Sequence, residues 1–196
     1  KSYFILSDDG KGMSSSDILD KWLVLGTDSK SRAELEIESE ETLWKRPRIK
    51  AGEKGIGRLS VAYLGNPMLM LTKKIGYPLQ ALYFDWRLLE NYNLFLDDIN
   101  IPLKSVDKLS ELENIFANLK IDFLSNFDKE TDLDSKQIWQ GKQLVLKEEI
   151  ISETNEALIE IPILERIASH FNSDNSHGTL FITFNPISQI QKLAEN

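Results

Sequence analysis

Glycines punctuate the first third of the chain in three clusters, at 10 and 12, at 26, and at 52, 55 and 57. Each cluster taken alone is explained as turn punctuation. Gly10-Lys11-Gly12 is not a dinucleotide fingerprint, because Ser15 stands at the third glycine position and no second βα unit follows. Gly52-Glu53-Lys54-Gly55-Ile56-Gly57-Arg58 is not a Walker A loop, which needs Lys and then Ser or Thr where this chain has Arg58-Leu59. The last cluster does feed a helix start. Glycine lets backbone N–H groups converge with no Cβ in the way, and a helix N-terminus adds partial positive charge. Phosphate is the natural guest of such a turn.

The segments between the glycines have legible periods. Tyr3 to Leu6 is an apolar run that ends in Asp8-Asp9-Gly10, predicting a strand that breaks into a tight turn. Serines 14 to 16 and Asp17 offer an N-cap, and Ile18, Leu19, Trp22 and Leu23 recur at helical spacing up to Gly26. Residues 28 to 51 show no sustained period and read as a long polar connection, acidic from Glu34 to Glu41 and basic from Lys45 to Lys54. Ile56 to Leu64 reads as an amphipathic helix. Met68 to Ile75 and Leu79 to Trp86 read as two strands joined by Gly76-Tyr77-Pro78. Farther on, Val106 to Leu119 looks helical, Ala157 to Ile161 is a candidate strand, and Pro162 opens a helix through His170. Thr179 to Phe184 alternates as a strand, and Pro186 starts a short helix. Strands and helices mixed in this way predict an α+β two-layer sandwich, a mostly antiparallel sheet with helices on one face.

Composition narrows the partners. The 196 residues suit one domain, and 41% apolar with 28% charged residues is ordinary for a globular core. A net charge of −8 argues against bulk electrostatic wrapping of a nucleic acid. No apolar run approaches the ~20 residues of a membrane span. The absence of cysteine excludes a disulfide framework and fits a cytoplasmic protein, and His170 and His177 have no metal-ligand spacing. The opening Lys-Ser-Tyr-Phe-Ile-Leu reads as the middle of a strand, as in a segment of a longer protein.

In order, these motifs resemble the gyrase, heat-shock chaperone, histidine kinase and MutL (GHKL) ATPase superfamily. Asp8-Asp9-Gly10-Lys11-Gly12-Met13 resembles its D-x-G-x-G box. Trp22 to Lys30 is similar to the helix end and G-T-x-x-K run of the chaperone-like and MORC-like branches. Gly52 to Arg58 resembles the second glycine box at the foot of the ATP lid, and His177-Gly178-Thr179 resembles the G-T that opens the last pocket strand. The likeness covers about residues 3 to 90 and 176 to 185 and leaves about 91 to 170 as an insertion in a single ATP-binding domain.

The resemblance implies the Bergerat-type ATP-binding fold and a set of roles. Asp8 would accept from the adenine amino group, with Thr179 holding Asp8 and an ordered water beside the base. Gly10, Gly12 and Met13 would line the base and ribose. Lys30, after Gly26 and Thr27, would meet phosphate; the amides near Gly55, Ile56 and Gly57, in the box that Gly52 opens, would wrap the β- and γ-phosphates; Lys54 and Arg58 would either contact phosphate or lie on the solvated surface. It also implies Mg2+ as cofactor. The superfamily's water-activating glutamate and magnesium-binding asparagine precede the D-x-G-x-G box on a helix. They are expected upstream of Lys1, so no catalytic or metal-binding residue is assigned in this chain. The implied function is ATP binding with slow hydrolysis, closing the loop 31 to 54 as a lid and pairing two copies; Leu43 and Trp44 are either contacts between the copies or an anchor of the loop to the domain body. The alternatives are a non-hydrolysing ATP/ADP sensor and a histidine kinase, whose phospho-accepting histidine this chain lacks. The resemblance names no protein or DNA partner.

Overall fold

The computed structural model describes residues 2–23, 56–91, 93–94, 99–128 and 138–193, with the backbone alone at 56–59. Five strands form one sheet in the order β1-β5-β2-β3-β4, and every neighbouring pair is antiparallel. They are β1 (Phe4–Asp8), β2 (Met68–Lys73), β3 (Leu79–Phe84), β4 (Leu103–Val106) and β5 (Gly178–Thr183). The helices are α1 (Ser15–Asp17, running into a π-helical segment Ile18–Trp22), α2 (Leu112–Leu124), α3 (Lys142–Glu156), α4 (Ile161–His170) and α5 (Ser188–Gln191). The sheet with its helices is the α+β sandwich that the sequence predicts.

β2 and β3 are almost wholly buried, so both faces of the sheet centre are covered. Alternate residues divide the sheet into two faces. On one, Tyr83 packs edge-on against Phe116 and Phe123 of α2, at 5.7 and 5.4 Å between ring centroids. Its hydroxyl donates to Thr154 of α3 at 3.2 Å. Arg166 of α4 reaches Ser7 on the same face of β1. The other face carries shorter segments. Trp22 stacks on Phe181 at 6.4 Å and leans on Trp86 at 6.0 Å, and the Trp86 Nε1–H points to the Met68 sulfur. The helix expected at Ile56 to Leu64 is a 3-10 helix over Ile56–Tyr63. Among the described residues no helix is long and apolar enough to cross a membrane.

Two expectations are corrected. Ala157 to Ile161 forms no strand. Ala157 closes α3 through its N–H to Glu153 O, and Glu160 caps α4, leaving a short linker between helices. Its alternation is real, with Ala157 and Ile159 buried and Leu158 exposed, but it anchors a linker with no ladder partner. Val106 belongs to β4, and the helix after it starts at Leu112, preceded by a 3-10 turn. Residues 91 to 170, left by the sequence as an insertion, thus supply in their described part an edge strand and α2 to α4.

An ion-pair cluster ties β3 to α3. Asp85, fully buried, accepts two bonds from the Arg87 guanidinium at 3.0 and 2.7 Å, and Arg87 also reaches Glu153 at 2.7 Å. Burial pushes the Asp85 carboxyl above its ordinary range, with Arg87 opposing. Arg87→Ala leaves that carboxylate buried without its cation, at an expected cost of about 3–5 kcal/mol at neutral pH. The folded-state value then rises further above the unfolded one near ~3.9, so the folded variant takes up a proton first as pH falls. The deficit relative to wild type should therefore narrow on acidification. Denaturant melts at pH 7 and pH 5 check this; an equal deficit at both would rule it out.

Candidate functional site

The strand registers place one polar residue from every strand in a single row across the sheet. Asp8 lies opposite Thr179, Thr179 opposite Thr72, Thr72 opposite Gln80 and Gln80 opposite Ser105. Directly opposed residues of antiparallel strands share a face. The next row on that face, Leu6, Phe181, Met70, Leu82 and Leu103, is apolar. The polar row is satisfied in pairs. Thr72 Oγ1 and Thr179 Oγ1 lie 3.0 Å apart, and Gln80 bonds Ser105 at 3.1 Å. Asp8 and Ser105, at the two ends of the row, are exposed.

The D-x-G-x-G segment folds over the Asp8 end. Asp8 Oδ1 accepts the Gly10 N–H at 2.8 Å, which turns the chain off the strand and leaves Oδ2 without a partner among the described residues. Gly12 has φ +66°, and a Cβ there would lie 1.8 Å from the Lys73 carbonyl oxygen. Glycine is thus required twice, by conformation and by the closeness of β2. The approach lets the Met13 N–H donate to Thr72 Oγ1 at 3.0 Å. Across the loop, His177 Nδ1 lies 2.7 Å from the Gly10 carbonyl. A carbonyl only accepts, so this ring nitrogen carries the proton. Gly178, at φ +122°, passes so close to Asp8 that a Cβ would lie 2.2 Å from its carbonyl oxygen.

Ser14 then opens α1 with a capping box, its hydroxyl accepting the Asp17 N–H while Asp17 accepts the Ser14 N–H. Asp17 also pairs with Lys21 and with Lys74 of the β2–β3 hairpin, which fixes α1 to the sheet. Bonds from Lys21 first and Ser14 second hold its carboxyl well below the usual range.

The structure brings Asp8, Gly10, Gly12, Met13 and Thr179 together at this end of the row. Gly26, Thr27, Lys30, Gly52, Lys54 and Gly55 lie outside the described residues. Ile56, Gly57 and Arg58 start the 3-10 helix. The Thr179 hydroxyl is bonded to Thr72, while the Asp8 carboxylate is turned to Gly10. Thr72 and the imidazole of His177 were not singled out from sequence. The signal for Thr72 is slight: one hydroxyl closing the buried run Met-Leu-Met-Leu.

Two clefts lie elsewhere. One of about 500 Å³ is lined by Tyr3, Phe184 and the carboxylates of Glu149, Glu153, Glu156 and Glu160. Another of about 470 Å³ lies beside Lys73, Tyr77 and Asp107. Neither includes Asp8, Met13 or Thr179. The four glutamates make the larger one hostile to a polyanion. Among the described residues no group of three or more His, Cys, Asp or Glu side chains is placed to hold a metal ion.

Gly12→Ala is expected to cost roughly 2 kcal/mol or more, from the left-handed backbone and the clash with Lys73. It should also pull the Met13 amide off Thr72. Gly10→Ala, whose Cβ meets only the Asp8 side chain, should cost less. Denaturant melts with hydrogen exchange at the Met13 amide check both effects. A Gly12→Ala protein as stable and as protected as wild type would rule out the close approach.

Comparison with curated proteins finds no match. Residues 1–115, more than half of the chain, match the family model described as histidine kinase-, DNA gyrase B- and HSP90-like ATPase. The match spans the D-x-G-x-G segment and strands β1 to β4. With this match over more than half of its length and an antiparallel sheet with helices consistent with it, the chain belongs to the histidine kinase-, DNA gyrase B- and HSP90-like ATPase family.

Proposed function

We propose that this domain binds ATP with the adenine base against the Asp8 end of the polar row. The observation that carries the reading is the free Asp8 oxygen beside Thr179, under a glycine loop that β2 holds in place. In this reading Asp8 accepts from the adenine 6-amino group, and Thr179 holds an ordered water beside the base. Met13 offers its thioether as soft apolar surface, with Gly10 and Gly12 alongside. Phosphate falls to Gly26, Thr27, Lys30, Gly52, Lys54, Gly55, Ile56, Gly57 and Arg58, on the resemblance alone. Magnesium-dependent slow hydrolysis, closure of residues 31 to 54 over the nucleotide and pairing of two copies complete the proposal. They rest on the sequence likeness and on family membership.

Asp8→Ala should weaken ATP binding about 10–100-fold, the worth of a hydrogen bond to a charged acceptor, with melting little changed. GTP should compete poorly with ATP, because its 6-oxo group sets an acceptor against an acceptor. Calorimetry and displacement measure both. Unchanged ATP affinity in a folded Asp8→Ala protein would overturn the site. Tight binding with no turnover would replace hydrolysis by nucleotide sensing.

A further inference from the structure

The hydrogen bonds of Thr72 decide a proton position that distances alone leave open. A threonine hydroxyl has one hydrogen and two acceptor lone pairs. The Met13 N–H only donates, so it takes one lone pair of Thr72 Oγ1. The Gly178 carbonyl, 3.2 Å away, only accepts, so it takes the hydrogen. One lone pair remains, and Thr179 Oγ1 at 3.0 Å must donate into it. The Thr179 proton therefore faces Thr72, in a pair that is 0% and 5% exposed. Its lone pairs are left for the Asp8 side of the row.

We infer that Thr72 is a positioning residue for base selection: it keeps the Thr179 proton away from the nucleotide, so that Thr179, like Asp8, presents an acceptor there. This deepens the adenine reading above and rests on it. Asp8 and Thr179 then both call for a donor at position 6 of a purine. A 6-oxo purine offers an acceptor there and is refused. Without the Thr72 hydroxyl, Thr179 is free to rotate and donate, and a 6-oxo group gains a partner.

Displacement assays with ATP and inosine triphosphate on the full-length protein test this, with melting as a check on folding. Wild type should prefer ATP. Thr72→Val, or Thr72→Ala should the valine variant fail to fold, should lose roughly 3–10-fold of that preference, the worth of one neutral hydrogen bond. Thr72→Ser should keep it. In a Thr179→Val background the change at Thr72 should move the ratio no further, since the two act as one unit. A folded Thr72→Val or Thr72→Ala protein with the wild-type ratio would overturn the inference while leaving ATP binding intact. A wild-type protein that binds no ATP would instead sink the adenine reading, and this inference with it.

Discussion

β5 lies between β1 and β2, antiparallel to both, and each pairing is in a register that puts a threonine of β5 beside a polar partner. A hydroxyl buried without a partner costs about 1–3 kcal/mol, a penalty that this register avoids at Thr72 and Thr179 though not at Thr183, whose buried hydroxyl has no partner among the described residues. Thr72 meets Thr179, the Gly178 carbonyl and the Met13 amide at once. The next row on that face is Leu6, Phe181, Met70, Leu82 and Leu103, so a two-residue slip would set polar against apolar and a one-residue slip would turn the slipped strand's side chains to the other face. Trp22 then lands on Phe181 and α1 follows the glycine loop onto the sheet.

The site inherits its shape from that pairing. β1 and β2 are joined in sequence through the glycine loop and α1, yet they are not neighbours in the sheet; β5 comes from far along the chain to fill the place between them. The family match ends at residue 115, before β5, and the strand order brings Thr179 of β5 opposite Asp8. At this end of the sheet Gly12 and Gly178 are points where backbone approaches backbone too closely for a Cβ, Gly12 against Lys73 and Gly178 against Asp8. Asp8 ends up fixed in position with one oxygen turned inward to Gly10 and the other open.

Much of this was legible because local chemistry and long-range packing agree. The strand breaking at Asp8, the Ser14–Asp17 cap, the Met68 to Trp86 hairpin and the Pro162 helix each carry their own punctuation. β4 was missed because Leu-Lys-Ser-Val is too short and mixed to show a period, and its role depends on pairing with β3. α3 was missed because only Ile150 and Thr154 are fully buried, leaving little apolar periodicity. The linker at 157–160 imitated a strand because two anchors two residues apart have a strand's spacing. At the site, Asp8, Gly10, Gly12, Met13 and Thr179 were named by motif. Thr72 was not, since its function comes from the registry of two strand pairings and no local pattern encodes it.

Amide and methyl chemical-shift mapping during an ATP titration would locate the nucleotide on the protein most directly. The polar-row site predicts shifts concentrated at Gly10, Gly12, the Met13 methyl and Thr179, with little change along Glu149 to Glu160. Shifts centred on the acidic cleft of α3 and α4, with Asp8 to Met13 unmoved, would mean that the nucleotide binds elsewhere and that the polar row is structural.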